Sequence, residues 1–364
     1  MRVLIATDAW PPQVNGVVVA LANTIKCLRK LGHEVDVISP EGFRTIPTPT
    51  YPEIPLALFA GREVARRIDA FAPDAIHIAT EGPIGAAARK HCLRQGLAFT
   101  TAYHTCFPEY ITVRTGIPLG WTYGFMRRFH APAAAVMVAT EPLRQLLVER
   151  GFERVVVCPL GVDLDLFQPG PDRFTDLPRP VFTYVGRLAV EKDLPAFLKL
   201  DLPGTKLVVG DGPARRKLER AFPAARFVGT RFGSDLTRLY QLSDAFVFPS
   251  RTETFGLVML EAMACGVPVA ALPVRGPLDV VGDPAGGLLD WDLARAALGA
   301  LDLKRGAGRS HAEKFPWEKS CAAFLSHLTP ATVTKTTPNV SETDTTSSYL
   351  RKTGPLGRAR EERA

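Results

Sequence analysis

The sequence predicts an α/β protein with two parallel-sheet domains, and three observations lead to this fold class. Short apolar runs typical of buried strands alternate with helical segments along residues 1–328. The alternation stops at a stretch rich in proline and aspartate, 170–180, and then starts again. The 364 residues are also enough for two hydrophobic cores. We therefore expect a first domain over 1–169 and a second over 170–328.

The composition narrows the class of protein and its partners. With 46% hydrophobic and 22% charged residues, the chain has an ordinary globular composition. Its net charge of +7 favours anionic partners such as nucleotides, phosphates or acidic lipids, but no basic stripe with stacking residues indicates nucleic acid. The six cysteines are scattered, no signal peptide begins the sequence, and no apolar run reaches the roughly 20 residues of a membrane span. We expect a cytoplasmic protein without disulfides.

Three positions in the first half lie where ligands bind in open parallel sheets. Gly16 follows Asn15 at the start of a helix, where anions bind well, although a plain turn is the alternative. His104 follows the strand 97–101, and Glu81 follows the strand 75–78. For His104 the alternative is a surface or core histidine, and for Glu81 a helix-capping turn. No Gly-x-Gly-x-x-Gly is present, which argues against a dinucleotide dehydrogenase.

The second half begins with a possible diphosphate site. The strand 181–185 ends in Gly186-Arg187-Leu188, and Lys192 follows at a helix start. Arg can bind two oxygens at once and Lys adds a mobile charge, so the pair fits a diphosphate, whereas either residue alone would be an ordinary surface cation. Asp211 or Gly212 caps the helix that follows.

Two acids occupy the stretch 250–267. Glu253 lies on the turn after the strand 245–248, and Glu261 lies within a helix that is apolar on nearly every side and follows Gly256. A buried carboxylate costs several kcal/mol, roughly, unless donors reach it. Glu261 could pair with an internal arginine and Glu253 could be solvated. Because strand, turn, apolar helix and paired acids coincide, we favour contacts with hydroxyl groups of a sugar or ribose.

The run Glu253-Thr254-Phe255-Gly256 through Glu261 resembles the Glu-x7-Glu signature of retaining glycosyltransferases of family 4. The resemblance covers about residues 1–328. It implies the GT-B architecture, in which two Rossmann-like domains face each other across a cleft. The first domain would then serve the acceptor and the second the nucleotide sugar, and the last helix often packs back on the first domain.

The resemblance also implies roles for individual residues. Glu253 and His104 would contact the donor sugar, and Glu261 the ribose. The loop Pro11-Pro12-x-x-Asn15-Gly16 and the run Arg187-Leu188-x-x-Glu191-Lys192 would bind the diphosphate, although Asp193 stands where the family usually has glycine. The complete set of expected donor-binding residues is Gly16, Arg187, Lys192, Gly210, Gly212, Val228, Phe255, Gly256, Leu257 and Glu261.

The expected reaction is transfer of a hexose with retention of configuration. The motif in the form found at 250–258 looks most like that of GDP-mannose-dependent α-mannosyltransferases. Proteins of similar sequence transfer glucose, glucuronate or sulfoquinovose from UDP donors to diacylglycerol. The acceptor would be a lipid or a glycan. No Asp-x-Asp follows a strand end, so we expect no metal and no cofactor. A nucleotide-sugar epimerase and a nucleotide-sugar-binding regulator are the rival hypotheses.

Two further segments are distinctive. Between Glu109 and Glu141 there is no acid, and cations interleave with aromatic residues, among them Trp121, Phe125 and Arg128. This pattern fits a peripheral contact with an anionic membrane, or a helix packed on its domain with extended arginines. Residues 329–364 are rich in Thr, Ser, Pro, Lys and Arg and predict a disordered tail.

Overall fold

The structure is a computed structural model that describes residues 1–48, 51–170, 176–282 and 286–332, without the side chains of 51–53, 113 and 114. The described residues form two six-stranded sheets and one hairpin. Every strand pair within the two large sheets is parallel. The predicted class, α/β with two parallel-sheet domains, is therefore confirmed. The predicted disordered tail lies outside the described residues from 333 onward, and the domain division at 169/170 stays a prediction.

The first half contains a sheet of order β2-β1-β5-β6-β7-β8. Its elements are β1 (Arg2–Ala6), α1 (Gly16–Lys30), β2 (Glu34–Ile38), β3 (Thr45–Thr48), β4 (Tyr51–Ala57), α2 (Gly61–Phe71), β5 (Ala75–Ile78), α3 (Pro83–Gln95), β6 (Thr100–Ala102), α4 (Phe107–Thr115), α5 (Leu119–His130), β7 (Val136–Val138), α6 (Glu141–Glu149) and β8 (Val155–Val157). The sequence analysis did not predict the hairpin of β3 and β4.

Helix α1 begins at the predicted glycine because Asn15 caps it. Asn15 Oδ1 accepts a hydrogen bond from the backbone N–H of Val18 at 3.0 Å. The apolar face of the helix, with Leu21 and Ile25, packs on Val3 of the first strand. The cap and this packing hold the N-terminus of α1 at the carboxyl edge of the first sheet.

The second half contains a sheet of order β11-β10-β9-β12-β13-β14. Its elements are β9 (Val181–Val185), a 3₁₀ turn (Val190–Lys192), α7 (Leu194–Leu198), β10 (Thr205–Val209), α8 (Arg215–Ala221), β11 (Arg226–Gly229), α9 (Gly233–Leu242), β12 (Ala245–Phe248), α10 (Leu257–Ala264), β13 (Val269–Ala271), α11 (Pro277–Val281), β14 (Gly287–Leu289), α12 (Leu293–Gly299), a 3₁₀ turn (Ala300–Asp302), α13 (Arg309–Ala312) and α14 (Trp317–His327).

The order of strands in the second sheet creates a crevice. In chain order it is the 3-2-1-4-5-6 arrangement of a doubly wound fold, and the direction of winding reverses between β9 and β12. Loops that leave the carboxyl ends of two such strands diverge and flank a ligand-binding crevice. The loop starting at Gly186 and the loop ending at Gly256 are these two loops.

The C-terminal helix α14 packs on the first sheet although it follows the second. Cys321 and Phe324 belong to the same buried cluster as Val3 and Ile5, and the ring of Phe324 lies 4.9 Å from that of His77. The chain then continues along the first sheet. Pro330 bridges Ala75, and Ala331 is buried in the first core. Within the tail predicted from 329 onward, Ala331 is thus buried, whereas Pro330 and Thr332 are exposed.

Candidate active site

The loops after β9 and β10 lie directly against each other. The backbone N–H of Gly186 donates to Val209 O at 3.0 Å, and that of Gly210 donates to Gly229 O at 2.9 Å. A Cβ atom on Gly210 would lie 1.9 Å from the carbonyl oxygen of Gly186, and its φ of +137° is rare for residues with side chains. Glycine is therefore required at 210 for loop packing, independently of any ligand.

Lys192 and Glu253 form an ion pair across the crevice. Lys192 Nζ donates to Glu253 Oε2 at 2.6 Å, and the side chains are only 18% and 14% exposed. Burial opposes the charge of Lys192, but the charge of Glu253 and its hydrogen bond outweigh burial, and the pKa of Lys192 is raised. The sequence analysis expected these residues to contact different parts of a donor and did not foresee the pair.

Lys192 and Glu253 both keep hydrogen-bonding capacity beyond their ion pair. Besides Lys192, Glu253 accepts one hydrogen bond from the backbone N–H of Thr254, at 3.0 Å to Oε1. Two carboxylate oxygens offer about four acceptor positions, and an ammonium group has three donors. Both side chains can therefore bind a ligand and remain paired. Gly276 closes the other side of Glu253, since a Cβ there would lie 2.8 Å from Glu253 Cβ.

A hydrogen bond joins this loop to the first half of the chain. Thr254 Oγ1 donates to the backbone carbonyl of His104 at 2.8 Å. Nearby, Tyr110 on α4 contacts Thr252. The pKa of the Cys106 thiol, raised to about 12 by burial, responds to the charges of Glu253 and other nearby groups. The loop after β6 and the loop after β12 therefore meet at one place.

The His104 side chain, next to the carbonyl that Thr254 contacts, is a neutral imidazole. Burial, and secondarily the charge of His130, lowers its pKa to about 4. Its Nε2 atom is buried and has no hydrogen-bond partner among the residues that the structure describes. A buried polar atom without a partner is costly, and a substrate hydroxyl group could supply the missing hydrogen bond. This observation supports the expectation from sequence but does not test it.

Glu261 is buried within α10, and its partner is a tyrosine. Glu261 is only 9% exposed. Tyr240 OH on α9 donates to Glu261 Oε2 at 2.8 Å. Burial raises the pKa of Glu261 to about 7, and the hydrogen bond from Tyr240 partly opposes the rise. The internal arginine considered as an alternative is not among the hydrogen-bond partners recorded for Glu261 in the described part of the chain.

The other predicted donor-binding residues lie in the loops at the carboxyl ends of the strands or in the elements packed against these loops. Arg187 is partly buried in the loop after β9, where its carbonyl accepts from Tyr184 OH at 3.0 Å. Gly16 is exposed at the start of α1, with open space where a Cβ would lie. Gly212 packs against Leu188 O, 2.6 Å from the position of a Cβ. Val228 is partly buried on β11.

Three motif residues are buried in the loop and at the start of α10, and their expected contacts with the donor stay predictions. Phe255 is buried, and its ring lies 6.2 Å from that of Phe315. Leu257 is buried at the start of α10. Gly256 precedes it with φ +94°, a conformation that glycine adopts without strain. The Phe255 and Leu257 side chains thus anchor the loop that carries Glu253.

The basic and aromatic segment divides between two faces of α5. Tyr123, Met126 and Phe129 are buried. Trp121 and Phe125, one helical turn apart, are 78% and 63% exposed. One face of α5 is therefore packed on its domain, and the membrane contact expected for the exposed face stays a prediction.

Glu81 has a partner inside the first half. Its Oε1 atom lies 3.1 Å from His130 Nε2, and His130 Nδ1 lies 2.8 Å from Thr101 Oγ1. The cap of α3 is instead Asp8, which accepts from the backbone N–H of Ile84 at 2.9 Å. The turn at Glu81 does begin α3, with Gly82 at its N-cap, but the Glu81 side chain pairs with His130 and does not cap the helix.

Four residues at the predicted site were not identified from sequence patterns. Tyr240 contacts Glu261, Thr254 joins the halves, and Tyr110 and Cys106 lie beside the loop of Glu253. Thr254 stands inside the quoted motif and could have been singled out. The others come from distant parts of the chain, and no local pattern identifies them.

Neither a metal cluster nor a membrane span is found in the part of the chain that the structure describes. No group of three or more His, Cys, Asp or Glu side chains there could hold a metal ion. No helix there combines the length and apolarity needed to cross a bilayer. The expected independence from metal remains a prediction.

Comparisons with known proteins match both halves of the chain. The profile of Glycosyltransferase Family 4 matches residues 14–166, and that of Glycosyl transferases group 1 matches residues 179–301. The GDP-mannose-dependent alpha-mannosyltransferase of Mycobacterium tuberculosis is 31% identical in an alignment of 319 residues that covers 79% of this chain and 83% of that protein. Sulfoquinovosyl transferase SQD2 of Arabidopsis thaliana is 31% identical over 304 residues, 74% of this chain and 58% of that protein.

A solved structure supports the architecture. Sucrose-phosphate synthase from Thermosynechococcus elongatus superposes with a TM-score of 0.71 at 21% identity, covering 89% of this chain and 97% of that one. At this identity the similarity concerns the fold alone. Together with the sequence relatives, it leads to one conclusion: the chain is a glycosyltransferase that belongs to family 4 and has the GT-B fold.

Proposed function

We propose that the protein transfers a hexose from a nucleotide sugar, with GDP-mannose as the favoured donor, to a lipid or glycan acceptor with retention of configuration. The observation that carries the proposal is the hydrogen bond from Thr254 to the His104 carbonyl, at 2.8 Å. It joins the backbone of His104, which follows the first sheet, to the loop that carries Glu253 of the Lys192–Glu253 pair after the second sheet. This is a site with groups for both a sugar and a phosphate.

The donor diphosphate would bind at the cationic side of this crevice. Lys192 keeps donors beyond the one used by Glu253, Arg187 follows the adjacent strand, and Gly16 lies at the N-terminus of α1. A helix N-terminus and fixed cations stabilise the negative charge that grows on a leaving phosphate. The chain's own residues would then supply the stabilisation that a metal ion supplies elsewhere.

The sugar and ribose would be held by hydroxyl contacts. Glu253 has acceptor positions left for a sugar hydroxyl, and His104 Nε2 lacks a partner. Glu261 would accept from a ribose hydroxyl. Attack from the face of the leaving group, with the acceptor's proton passing to the leaving phosphate oxygen, would retain the configuration. No protein base is then needed on the opposite face.

The mannosyltransferase relative and the SQD2 relative favour different donors. The former is matched over 83% of its length and the latter over 58%, so GDP-mannose is the first candidate and a UDP-sugar with a diacylglycerol acceptor the second. Exposed Trp121 and Phe125, with Arg128 on the same helix, support a lipid acceptor met at an anionic membrane surface.

The test is a donor panel with the full chain. Radiolabelled GDP-mannose, UDP-glucose, UDP-glucuronate and UDP-sulfoquinovose are each incubated with membrane lipid extract, with and without EDTA. We expect mannose in an extractable product with an α linkage, resistance to EDTA, and near-complete loss in Glu253→Ala. Glu149→Ala, at an exposed carboxylate of α6, is the control.

Each rival hypothesis predicts a different result in this panel. An epimerase would release free nucleotide without acceptor, and a regulator would bind donor without turnover. Full activity of Glu253→Ala would refute the site assignment, and loss of activity in EDTA would refute metal independence.

A further inference from the structure

We propose that Tyr240 is a positioning residue of the donor site, whose hydroxyl fixes one oxygen of Glu261 so that the other is presented to the ribose. The inference rests on the proposed function, because it assumes that Glu261 contacts a ribose. Tyr240 is fully buried on α9. Its OH lies 2.8 Å from Glu261 Oε2 and 3.3 Å from the carbonyl of Val258.

The orientation of Tyr240 is set by aromatic packing. Its ring centroid lies 5.9 Å from that of Phe167 and 5.9 Å from that of Phe246. These separations are within the range of favourable aromatic contacts. The ring therefore has little freedom, and its hydroxyl is held at a defined point next to Glu261. Phenylalanine would fill the same space and lack only the donor.

One oxygen of Glu261 remains available. Tyr240 bonds Oε2, and no described residue is recorded as donating to Oε1. The residue keeps a 9% exposed fraction although its helix is otherwise buried. A carboxylate fixed at one oxygen and open at the other is suited to accept a hydrogen bond from a ligand hydroxyl.

The charged and titratable groups nearest to Glu261 do not replace the tyrosine. Those on the elements packed against α10, in the loop beside its end, and at its own end, are Asp279, Arg305, Arg309, His311 and Cys265. Arg305 donates to the carbonyls of Ser243 and Gln241. Arg309 donates to the carbonyls of Phe167 and Ala264, and His311 contacts that of Val280. None of these groups contributes to the pKa of Glu261, which burial raises to about 7 and only the Tyr240 hydrogen bond lowers. Tyr240 is thus what favours the ionised, accepting form.

The test measures GDP binding by calorimetry between pH 6 and 9. Wild-type affinity should weaken below about pH 7, where Glu261 becomes protonated. In Tyr240→Phe the midpoint of this pH dependence should move up by about one pH unit, because the hydrogen bond that lowers the pKa of Glu261 is lost. The ionised fraction at pH 7 then falls from about a half to about a tenth, so affinity should drop about fivefold and recover at pH 9.

A double-mutant cycle separates positioning from structure. The glutamine in Glu261→Gln cannot titrate, so the GDP affinity of this variant should keep only the pH dependence that comes from the GDP phosphate itself, whose second pKa is about 6. Adding Tyr240→Phe to it should have almost no further effect on affinity, because the two residues act as one unit. Tyr103→Phe, at a buried tyrosine of the first half, should keep the wild-type curve.

The outcomes distinguish the inference from the function on which it rests. Three results would show that Tyr240 is not a positioning residue, while the proposed function stands. In the first, Tyr240→Phe keeps the wild-type pH dependence of GDP affinity, and in the second it lowers the affinity equally at every pH. In the third, it lowers the GDP affinity of Glu261→Gln as much as that of the wild type. If the wild type binds neither GDP nor UDP, both fail.

Discussion

Replacement of Glu261 by glutamine should change stability in a direction that depends on pH. Burial raises the pKa of Glu261 from an ordinary 4.5 to about 7, so the folded state holds this proton more tightly than the unfolded state. The stability that the protonated group contributes is complete below pH 4.5 and is lost as the pH rises through 7. A rise of about 2.5 units corresponds to about 3 kcal/mol.

Urea unfolding followed by circular dichroism at pH 4.5, 6 and 8 measures this change. Glutamine does not titrate, so Glu261→Gln should gain about 3 kcal/mol in free energy of unfolding, relative to wild type, between pH 4.5 and pH 8. Glu149→Gln, at an exposed carboxylate, controls for the substitution itself. A stability difference that does not vary with pH, or that favours wild type more at pH 8, would refute the reasoning.

Three further predictions concern the Lys192–Glu253 ion pair, His104 and the exposed face of α5. Lys192→Met should destabilise the protein by about 2–4 kcal/mol in urea unfolding, because it leaves the Glu253 carboxylate buried without its partner, and adding Glu253→Gln should restore most of the loss. His104→Asn should lower kcat about 100-fold with GDP affinity unchanged, because the imidazole is expected to face the sugar. Trp121→Ser with Phe125→Ser should weaken binding to anionic vesicles in a flotation assay, because both side chains are exposed.

The first of these predictions has a matched control, and each has an outcome that would contradict it. Arg251→Met breaks an exposed ion pair with Asp193, 3.5 Å long, and should cost less than about 1 kcal/mol. A similarly small loss in Lys192→Met would contradict the buried-pair argument. Equal losses of GDP affinity and kcat in His104→Asn would contradict a sugar contact. Unchanged vesicle binding would assign Trp121 and Phe125 to some other role.

Local patterns were sufficient to predict most of the second sheet. The strand before Glu253 and the apolar helix around Glu261 are predicted by the period of their apolar residues and by the proline and glycine residues that bound them. The strand β14 (Gly287–Leu289) was not predicted, because a three-residue run has too little pattern to distinguish it from a loop. The hairpin of β3 and β4 was missed because each strand contains proline.

The amino-acid sequence by itself determined the class, the family resemblance and the positions of the two acids, because these depend on spacing along the chain. Only the tertiary structure decided their partners: Lys192 for Glu253 and Tyr240 for Glu261. These partners lie 61 and 21 residues away, respectively. Sheet order and helix packing set which side chains meet at such separations. A buried charge makes a partner necessary, but only the fold selects which residue it is.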